Sequence, residues 1–455
     1  MLLHLLERGP AEKENSVEIG GAHWHLATYD LNTCNVDTIP FTCVSYSWGK
    51  GKIISAFHCE PFLVSDRTLS VVATLVSRRP SCTRIWVDAF CVPLEGYDRI
   101  HTLQSMGYIY AVAQEVVAVL SSATRPVLTQ MAESDRLSDA NLDILEADDW
   151  ITRAWTYQEA VNSKGLAITC EGEGAIVDGT HFFDCLGFTL TRLQAAPYTN
   201  RVKHMYPRLD TFQELMADYM VAAYQQRSAL QVMTNVDRRL QNFHEDHFYA
   251  MIGAISDVRS SFGHTADPCE VFMSVCEKKG DYSFVYSSAK RDTSPKKRWR
   301  PAPGDHLLPA VMPWHCFGES QPGHEEGGSL YLDEVHVVKP QPLGDRAREF
   351  VESWLKLSKM PFPEGTDDAT VAVPGALESM GFLGSLEGIP TMNGFFFPIE
   401  RMYSFEGIQI IVATKVRWTF GAPGLVCIRG DVDIFIPGVF FGIVEAKGTT
   451  SFRLS

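Results

Sequence analysis

Short apolar strands alternate with helical segments four times between residues 41 and 170. The segment 116–120 (VVAVL) is apolar throughout, which is typical of a strand buried on both faces of a parallel sheet. Between strands, apolar residues recur at helical spacing, as at Leu69, Val72 and Val76. The pattern predicts an α/β domain with a parallel sheet and helices on both faces. The predicted strands are 41–46, 84–88, 116–120 and 166–170.

Ligands of such sheets bind beyond the carboxyl ends of the strands. Three features of this sequence fall there: the turn after Tyr46, the carboxylate of Asp88, and the start of the helix that carries Glu159. The sequence therefore predicts one site assembled from three distant segments.

The segment 150–160 is predicted to be a helix because it lacks Gly and Pro and follows a run of acidic residues. We expect Gly165 to end it in the left-handed conformation. Trp155 and Glu159 lie one turn apart on it. A carboxylate beside a large aromatic ring is desolvated, which raises its pKa and makes it a candidate acid, base or charge stabiliser. The alternative is that Glu159 pairs with Arg153 or another cation at the surface.

The turn at 47–52 (SWGKGK) combines two glycines with two lysines. Exposed amides and the ammonium groups of Lys50 and Lys52 suit a phosphate group. The spacing matches neither the P-loop nor the dinucleotide-binding pattern, so a plain turn explains it equally well.

Two histidine pairs resemble metal ligands at first sight: His23 with His25, and His244 with His247. Neither pair has a third ligand in reach along the sequence, and the second pair does not have the H-E-x-x-H spacing. No metal site is predicted.

The chain carries a formal net charge of −15 over 455 residues. Non-specific binding of nucleic acid depends on Lys and Arg that neutralise phosphates, so this balance argues against a nucleic-acid partner. The eleven Cys include no C-x-x-C pair, which is typical of free thiols in a reducing compartment. The first residues lack the features of a signal peptide, and no apolar run reaches the roughly 20 residues of a membrane span. We therefore predict a cytoplasmic protein without a membrane span.

Outside the alternating segment the pattern changes. Residues 1–40 are predicted to be an irregular lead-in with a strand near 24–28. The basic clusters near 290–300 are interpreted as part of a solvated linker, with a nuclear-localisation signal as the alternative. The predicted organisation is an α/β domain (1–195), a helical region (196–282), a linker (283–327) and a small β-rich domain (328–455).

Four blocks of this sequence resemble, in order and spacing, the signature of the heterokaryon-incompatibility (HET) domain over about residues 41–170. They are SYSWG at 45–49, IWVDAFCV at 85–92, Arg99 with MGYIYAVA at 106–113, and RAWTYQE at 153–159. The sequence departs from the family at Lys50, Leu94 and Thr102, where an acidic residue and two Gln are usual. A segment at 239–253 also looks like one that follows HET domains.

HET domains are in turn distantly similar to Toll/interleukin-receptor (TIR) domains, which are flavodoxin-like modules that often cleave NAD. In enzymatic TIR domains a Glu a few residues after a Trp is catalytic, so the resemblance implies a catalytic role for Glu159. It also implies a flavodoxin-like (TIR-like) fold for the first domain, and NAD as a substrate rather than as a retained cofactor. The residues expected to bind the nucleotide are Ser45, Tyr46, Trp48, Gly49, Lys50, Asp88, Arg153 and Trp155.

This chemistry is physically coherent. Nicotinamide leaves as a neutral base, so cleavage needs a negative charge near the developing oxocarbenium ion rather than a general acid. The resemblance thus implies an NAD-cleaving effector of cell death or innate immunity, active on self-association and released by a protein trigger. The alternatives are a non-enzymatic module that signals by self-association, and a site that binds a nucleotide signal without turnover.

Overall fold

The computed structural model describes residues 1–455 with the exception of 14, 56, 58–61, 196–201, 203–204, 222–226, 264–266, 295–296, 303–306, 359, 361–368, 405–406 and 431. The chain forms two compact units. The first unit is Met1–Tyr224 with Arg239–Ala266, and the second is Gln225–Arg238 with Asp267–Ser455.

Strands and helices are numbered along the chain. The strands of the first unit are β1 (Leu2–Arg8), β2 (Val17–Ile19), β3 (Ala22–Asp30), β4 (Thr42–Tyr46), β5 (Lys52–Ile54), β6 (Leu63–Ser65), β7 (Arg84–Trp86), β8 (Glu115–Leu120), β9 (Leu166–Cys170) and β10 (Val177–Asp178). The helices described in both units together are α1 (Arg67–Arg78), α2 (Asp88–Cys91), α3 (Gly96–Gln104), α4 (Met106–Val112), α5 (Arg125–Glu133), α6 (Asp139–Glu146), α7 (Ala154–Val161), α8 (Gly179–Ala195), α9 (Pro207–Val221), α10 (Ala229–Asp237), α11 (His244–Ile255), α12 (Pro268–Lys279), α13 (Asp345–Leu357) and α14 (Ala369–Ser379). Of these, α10 and α12 to α14 belong to the second unit.

The first unit is built on a mixed sheet with the strand order β10-β9-β8-β4-β7-β1-β3-β2. The four central strands β9, β8, β4 and β7 are parallel, as the strand and helix alternation predicts. Antiparallel strands extend the sheet at both ends. The prediction of an irregular lead-in was wrong, because β1 pairs with β3 along the whole length of β1 and buries Leu3, Leu5 and Leu6. The strand predicted near 24–28 is part of β3.

Helices cover both faces of the parallel strands, and β4 shows how. Neighbouring residues of a strand face opposite sides of the sheet. The Tyr46 hydroxyl meets Thr68 Oγ1 of α1 at 2.8 Å on one side, whereas Ser45 faces α7 on the other. The carboxyl end of β4 therefore places polar groups toward two helical layers.

The predicted helix at 150–160 is interrupted at its start. Residues 149–151 form a 3₁₀ turn in which the Asp148 side chain accepts from Trp150 N, and α7 begins only at Ala154. Arg153 is extended because its backbone neighbours pair with Leu240: Leu240 N donates to Thr152 O, and Ala154 N donates to Leu240 O. The expectation for Gly165 was also wrong, since α7 ends at Val161 and the Gly165 carbonyl accepts from Val116 N beside β9.

Two glycines allow α11 to pass close to α4 and α7. A Cβ atom on Gly107 of α4 would lie 2.0 Å from the carbonyl oxygen of Gly253, and one on Gly253 would lie 1.3 Å from Gln158 Oε1. Asn162 Nδ2 also donates to Gly253 O at 2.6 Å. Backbone contact between these helices fixes α11 beside the helix that carries Glu159.

The second unit is rich in β structure. Its main sheet is antiparallel, with the order β12-β13-β16-β18-β19-β15-β14 and with β20 paired to β13. Its strands are β11 (Phe317–Gly318), β12 (Gly323–Glu326), β13 (Ser329–Val338), β14 (Ile389–Thr391), β15 (Gly394–Pro398), β16 (Ile408–Ala413), β17 (Val416–Arg417), β18 (Gly421–Ile428), β19 (Ile434–Gly442) and β20 (Thr450–Leu454).

The four-part division at residues 195, 282 and 327 stays a prediction, and residues 196–201 at its first boundary lie outside the described residues. The predicted helical region contributes α9 and α11 to the first unit and α10 and α12 to the second. The predicted linker contains a buried 3₁₀ turn at Ser283–Tyr286. None of the helices in the described part of the chain combines the length and apolar character that a membrane span requires.

Candidate functional site

A pocket opens in the first unit beyond the carboxyl ends of β4 and β7. Its walls border about 800 Å³ of space that no atom fills, part of it open to solvent. Three carboxyl groups and two guanidinium groups face a largely apolar and aromatic lining. The ionisable lining residues are Asp88, Glu159, Asp246, Arg99 and Arg153.

Glu159 lies at the buried wall of this pocket and is held by a hydrogen-bonded chain. Ser45 Oγ donates to Glu159 Oε2 at 2.5 Å, and Trp150 Nε1 donates to Ser45 Oγ at 2.7 Å. An indole N–H is only a donor, so Ser45 accepts from Trp150 and uses its own proton for the carboxylate. Because Ser45 and Trp150 are at most 1% exposed, water does not compete for these bonds.

The surroundings of Glu159 raise its pKa to about 8. Burial is the largest cause, and the charge of Asp88 adds to it. Hydrogen bonds from Ser45 and Tyr110 and the charge of Arg153 act in the opposite direction. Glu159 is thus a carboxyl group that gains or loses its proton near neutral pH.

Asp88 fixes the indole of Trp48. Asp88 Oδ1 accepts from Ala89 N and Oδ2 accepts from Trp48 Nε1, both at 2.7 Å. Burial raises the pKa of Asp88, and these hydrogen bonds oppose that rise. The Lys52 ammonium lies 4.7 Å from the centre of the Trp48 ring. Trp48 is therefore held at its edge and also contacts a cation over its ring.

Arg153 is a half-buried cation of the pocket. Its charge lowers the pKa values of Asp88, Glu159 and Asp246. It lines the pocket, and no salt bridge within 4 Å joins its guanidinium group to another described residue. Such a group suits an anionic ligand.

The remaining predicted binding residues fall into two groups. Tyr46 and Trp155 line the pocket with Trp48, Asp88 and Arg153, and Ser45 reaches it through Glu159. Gly49 and Lys50 do not line it. Lys50 is exposed, and the glycines at 49 and 51 make room for Asp66, whose carboxylate oxygens would lie 2.4 and 2.0 Å from added Cβ atoms. Ligand contact by Gly49 and Lys50 stays a prediction.

Sequence reasoning did not assign roles to Trp150, Tyr110, Arg99 and Asp246. Trp150 and Tyr110 have no signal apart from being aromatic in the right segments. Arg99 lies in the motif blocks, and Asp246 lies in the weaker segment at 239–253, so both stood in stretches that already carried the resemblance. Their convergence with Glu159 is visible only in three dimensions.

The fold and the pocket define an α/β domain with a buried carboxyl group at the carboxyl ends of parallel strands. Comparison with known families names it: residues 41–159 match the family described as heterokaryon incompatibility protein (HET). Residues 41–159 of this chain therefore carry a HET domain. No curated protein and no solved structure matches the chain.

The match confirms the resemblance predicted from the four sequence blocks. It extends from the start of the β4 segment to Glu159 itself, so it contains most of the pocket, whereas Asn242, Phe243 and Asp246 come from outside it. A HET domain indicates a role in heterokaryon incompatibility and the cell death that accompanies it.

Proposed function

We propose that this HET domain cleaves NAD at the bond between nicotinamide and ribose, with Glu159 as the catalytic residue. The observation that carries the proposal is the placement of Glu159. It is a buried carboxyl group, oriented by Ser45, on the wall of a pocket that also contains two indole rings and two guanidinium groups.

In the proposed reaction the C–N bond to nicotinamide breaks and its electron pair leaves with the ring nitrogen. The ribose is left as an oxocarbenium ion, which the ionised Glu159 stabilises until water adds and a proton is released. The low-dielectric surroundings of Glu159 strengthen this attraction. The products are nicotinamide and ADP-ribose.

The other pocket residues supply the binding contacts. Trp48 and Trp155 offer ring faces for nicotinamide and adenine, and Arg153 with Arg99 offers guanidinium groups for the diphosphate. Tyr46 and Asp88 border the same space, and the turn at Gly49 and Lys50 is proposed to close over the ligand.

A flavodoxin-like (TIR-like) fold is part of this proposal. Numbered by their order along the chain, the parallel strands β7, β4, β8 and β9 stand in the order 2-1-3-4, which is that of the flavodoxin-like folds. In such folds ligands bind where the strand order reverses, here between β4 and β8, whereas the pocket lies beyond β4 and its other neighbour β7. Ser45 and Tyr46 end β4 at this point.

The biological setting we propose is a cytoplasmic effector of cell death or innate immunity. Depletion of NAD is lethal, so activity has to be gated, and we propose gating by self-association in response to a protein trigger. This part of the proposal rests on analogy with TIR domains.

A non-enzymatic signalling role, including nucleotide binding without turnover, has one observation in its favour. With a pKa of about 8, Glu159 is mostly protonated at pH 7, and a neutral carboxyl group cannot stabilise a cation by its charge. The cationic nicotinamide ring of NAD would lower this pKa on binding, which is what catalysis requires.

The test is NAD loss and nicotinamide release by the purified full chain, over a range of protein concentrations. We expect turnover per molecule to rise with concentration, and Glu159→Gln to lower it by about 100-fold or more while NAD still binds. Asp237→Asn is the matched control, because it removes a buried carboxyl group from the second unit. Absence of turnover at every concentration, with NAD binding intact, would establish the non-enzymatic role.

The pH dependence gives a separate prediction. For the wild type, kcat/KM should rise with pH and level off above about 8, because only the ionised form of Glu159 is active. Ser45→Ala removes a hydrogen bond that lowers the pKa of Glu159, so the inflection should move to higher pH and the rate at pH 7 should fall. Initial rates between pH 6 and about 9.5 measure both effects.

Ser70→Ala is the control for this experiment. Ser70 also donates to a carboxylate, that of Glu171 at 3.2 Å, but it is exposed and outside the pocket. Its substitution should leave the profile unchanged. Coincident profiles for Ser45→Ala and the wild type would show that Glu159 is not the group whose ionisation controls the rate.

A further inference from the structure

The indole of Trp150 is hydrogen-bonded to the residue that orients Glu159. Trp150 Nε1 donates to Ser45 Oγ at 2.7 Å, and Ser45 Oγ donates in turn to Glu159 Oε2 at 2.5 Å. Glu159 lines the pocket, whereas Trp150 does not. Trp150 can therefore act on a bound ligand only through other side chains, and its hydrogen bond leads to Ser45.

The position of the Trp150 indole is fixed by its backbone and by its ring. Trp150 N donates to Asp148 Oδ1, and Thr156 Oγ1 donates to Trp150 O, both at 2.9 Å. The buried ring meets that of Phe212 edge to face, with 5.6 Å between centroids. The indole N–H is thus held in place to donate to Ser45.

The direction of the hydrogen bond between Ser45 and Glu159 depends on what else Ser45 contacts. A hydroxyl group both donates and accepts, so Ser45 can donate to an ionised Glu159 or accept from a protonated one. Among the described residues, Ser45 Oγ has hydrogen bonds with Trp150 and Glu159 alone. Because hydrogen bonds in a chain polarise one another, donation from the indole makes Ser45 a stronger donor and a weaker acceptor. The arrangement therefore favours the ionised form of Glu159.

We infer that Trp150 is a positioning residue of this site, which keeps the hydroxyl proton of Ser45 directed at Glu159 and so favours the ionised form of that carboxyl group. The inference rests on the proposed function for its bearing on NAD cleavage. It adds a buried residue that lies outside the pocket lining.

Other charged and titratable groups also act on Glu159, and Trp150→Phe changes none of them. They are Cys43 on β4, Asp88 on α2, Tyr110 on α4 and Arg153 before α7, with Arg99 and Asp246 elsewhere in the pocket lining.

The test is the acid dissociation constant of Glu159 in the full chain, measured from its carboxyl carbon-13 signal by NMR and assigned with Glu159→Gln. Trp150→Phe keeps an aromatic ring and removes the N–H, so we expect this constant to fall about threefold. In the Ser45→Ala background the same substitution should have no further effect, because the connecting hydroxyl group is missing.

Trp299→Phe is the matched control. Trp299 is also buried, at 2% exposure, but it belongs to the second unit, and its indole N–H has no hydrogen-bond partner among the described residues. Its substitution should leave the dissociation constant of Glu159 unchanged.

A second measurement requires no substitution of Trp150. In the wild type the chemical shift of the Trp150 indole proton should titrate together with Glu159, whose pKa is about 8, and Ser45→Ala should abolish this dependence. The indole signal is assigned through its contacts with the ring of Phe212.

An unchanged dissociation constant of Glu159 in Trp150→Phe would overturn the inference, and so would an equal fall in the Ser45→Ala background. If Trp150→Phe does not fold, the indole signal decides, and an indole proton that does not titrate with Glu159 would overturn the inference. Neither readout requires NAD cleavage. A wild type that shows the expected shifts but no turnover would therefore reject the proposed reaction and retain the positioning role of Trp150.

Discussion

Glu159→Gln is expected to stabilise the first unit increasingly as the pH rises, by up to about 5 kcal/mol above pH 8. The folded pKa of Glu159 is about 8 and the ordinary value is 4.5. Below pH 4.5 the carboxyl group is protonated in both folded and unfolded chains. Between 4.5 and 8 only the unfolded chain loses the proton, so stability falls by about 1.4 kcal/mol for each pH unit. Glutamine does not titrate and escapes this loss.

Urea unfolding followed by circular dichroism at pH 5, 7 and 9 measures the effect. The difference between Glu159→Gln and the wild type should be small at pH 5 and largest at pH 9. Asp237→Asn provides the comparison. Because the pKa of Asp237 is about 7, the loss of stability through this carboxyl group stops increasing at about pH 7, whereas the loss through Glu159 increases until about pH 8. Parallel stability curves for Glu159→Gln and the wild type would show that Glu159 is ionised in the folded chain across this range.

The expected increase in the stability of Glu159→Gln is explained by the proposed function of Glu159. The proposed role of Glu159 requires its negative charge, yet its buried surroundings disfavour that charge. Above pH 4.5 the wild type is therefore expected to be less stable than the inactive Glu159→Gln variant. Active sites commonly carry this cost, because the low dielectric that destabilises the ion also strengthens its attraction for a cation.

Gly107→Ala is expected to destabilise the first unit by about 3 kcal/mol, the upper end of the usual cost of overpacking. The new methyl group would lie 2.0 Å from Gly253 O and 2.5 Å from Ser256 O. Both are backbone atoms of α11 or its end, so no side-chain rotation relieves the clash. Helix α11 must shift away from α4 and α7, and Asp246 with Tyr249 would move with it.

The measurement is again the urea midpoint. Gly375→Ala is the matched control, since Gly375 is also helical but has nothing within 4 Å of an added Cβ atom. That substitution should be neutral or stabilise α14 by about 0.5–1 kcal/mol. An equally stable Gly107→Ala variant would mean that α11 is not held in backbone contact with α4.

Much of the parallel core was predictable, because it depends on local pattern. Strands such as 116–120 are apolar throughout, the segments between them have helical spacing, and strand ends mark where a site forms. The neighbourhood of Trp155 and Glu159 was predictable for the same reason: residues four apart share a helix face. Whether a ligand binds there is a question that periodicity does not address.

The first forty residues and the start of α7 were predicted poorly. Strand β1 is apolar on both sides, a pattern without clear alternation, and it becomes a strand because β3 and β7 supply its hydrogen-bond partners. Arg153 is extended because Leu240 pairs with its neighbours. In both cases the decisive partner is remote in sequence.

The sequence by itself determined the α/β class, the HET domain within residues 41–159 and the helix position of Glu159, since these follow from residue types at short, regular spacing. Tertiary structure alone decided that Trp150 donates to Ser45 and that the rings of Trp155 and Tyr249 stack. Local spacing controls which side chains share an element, whereas burial and the pairing of distant elements control which of them meet. The raised pKa of Glu159 also depends on tertiary structure, because burial is the largest cause of its shift.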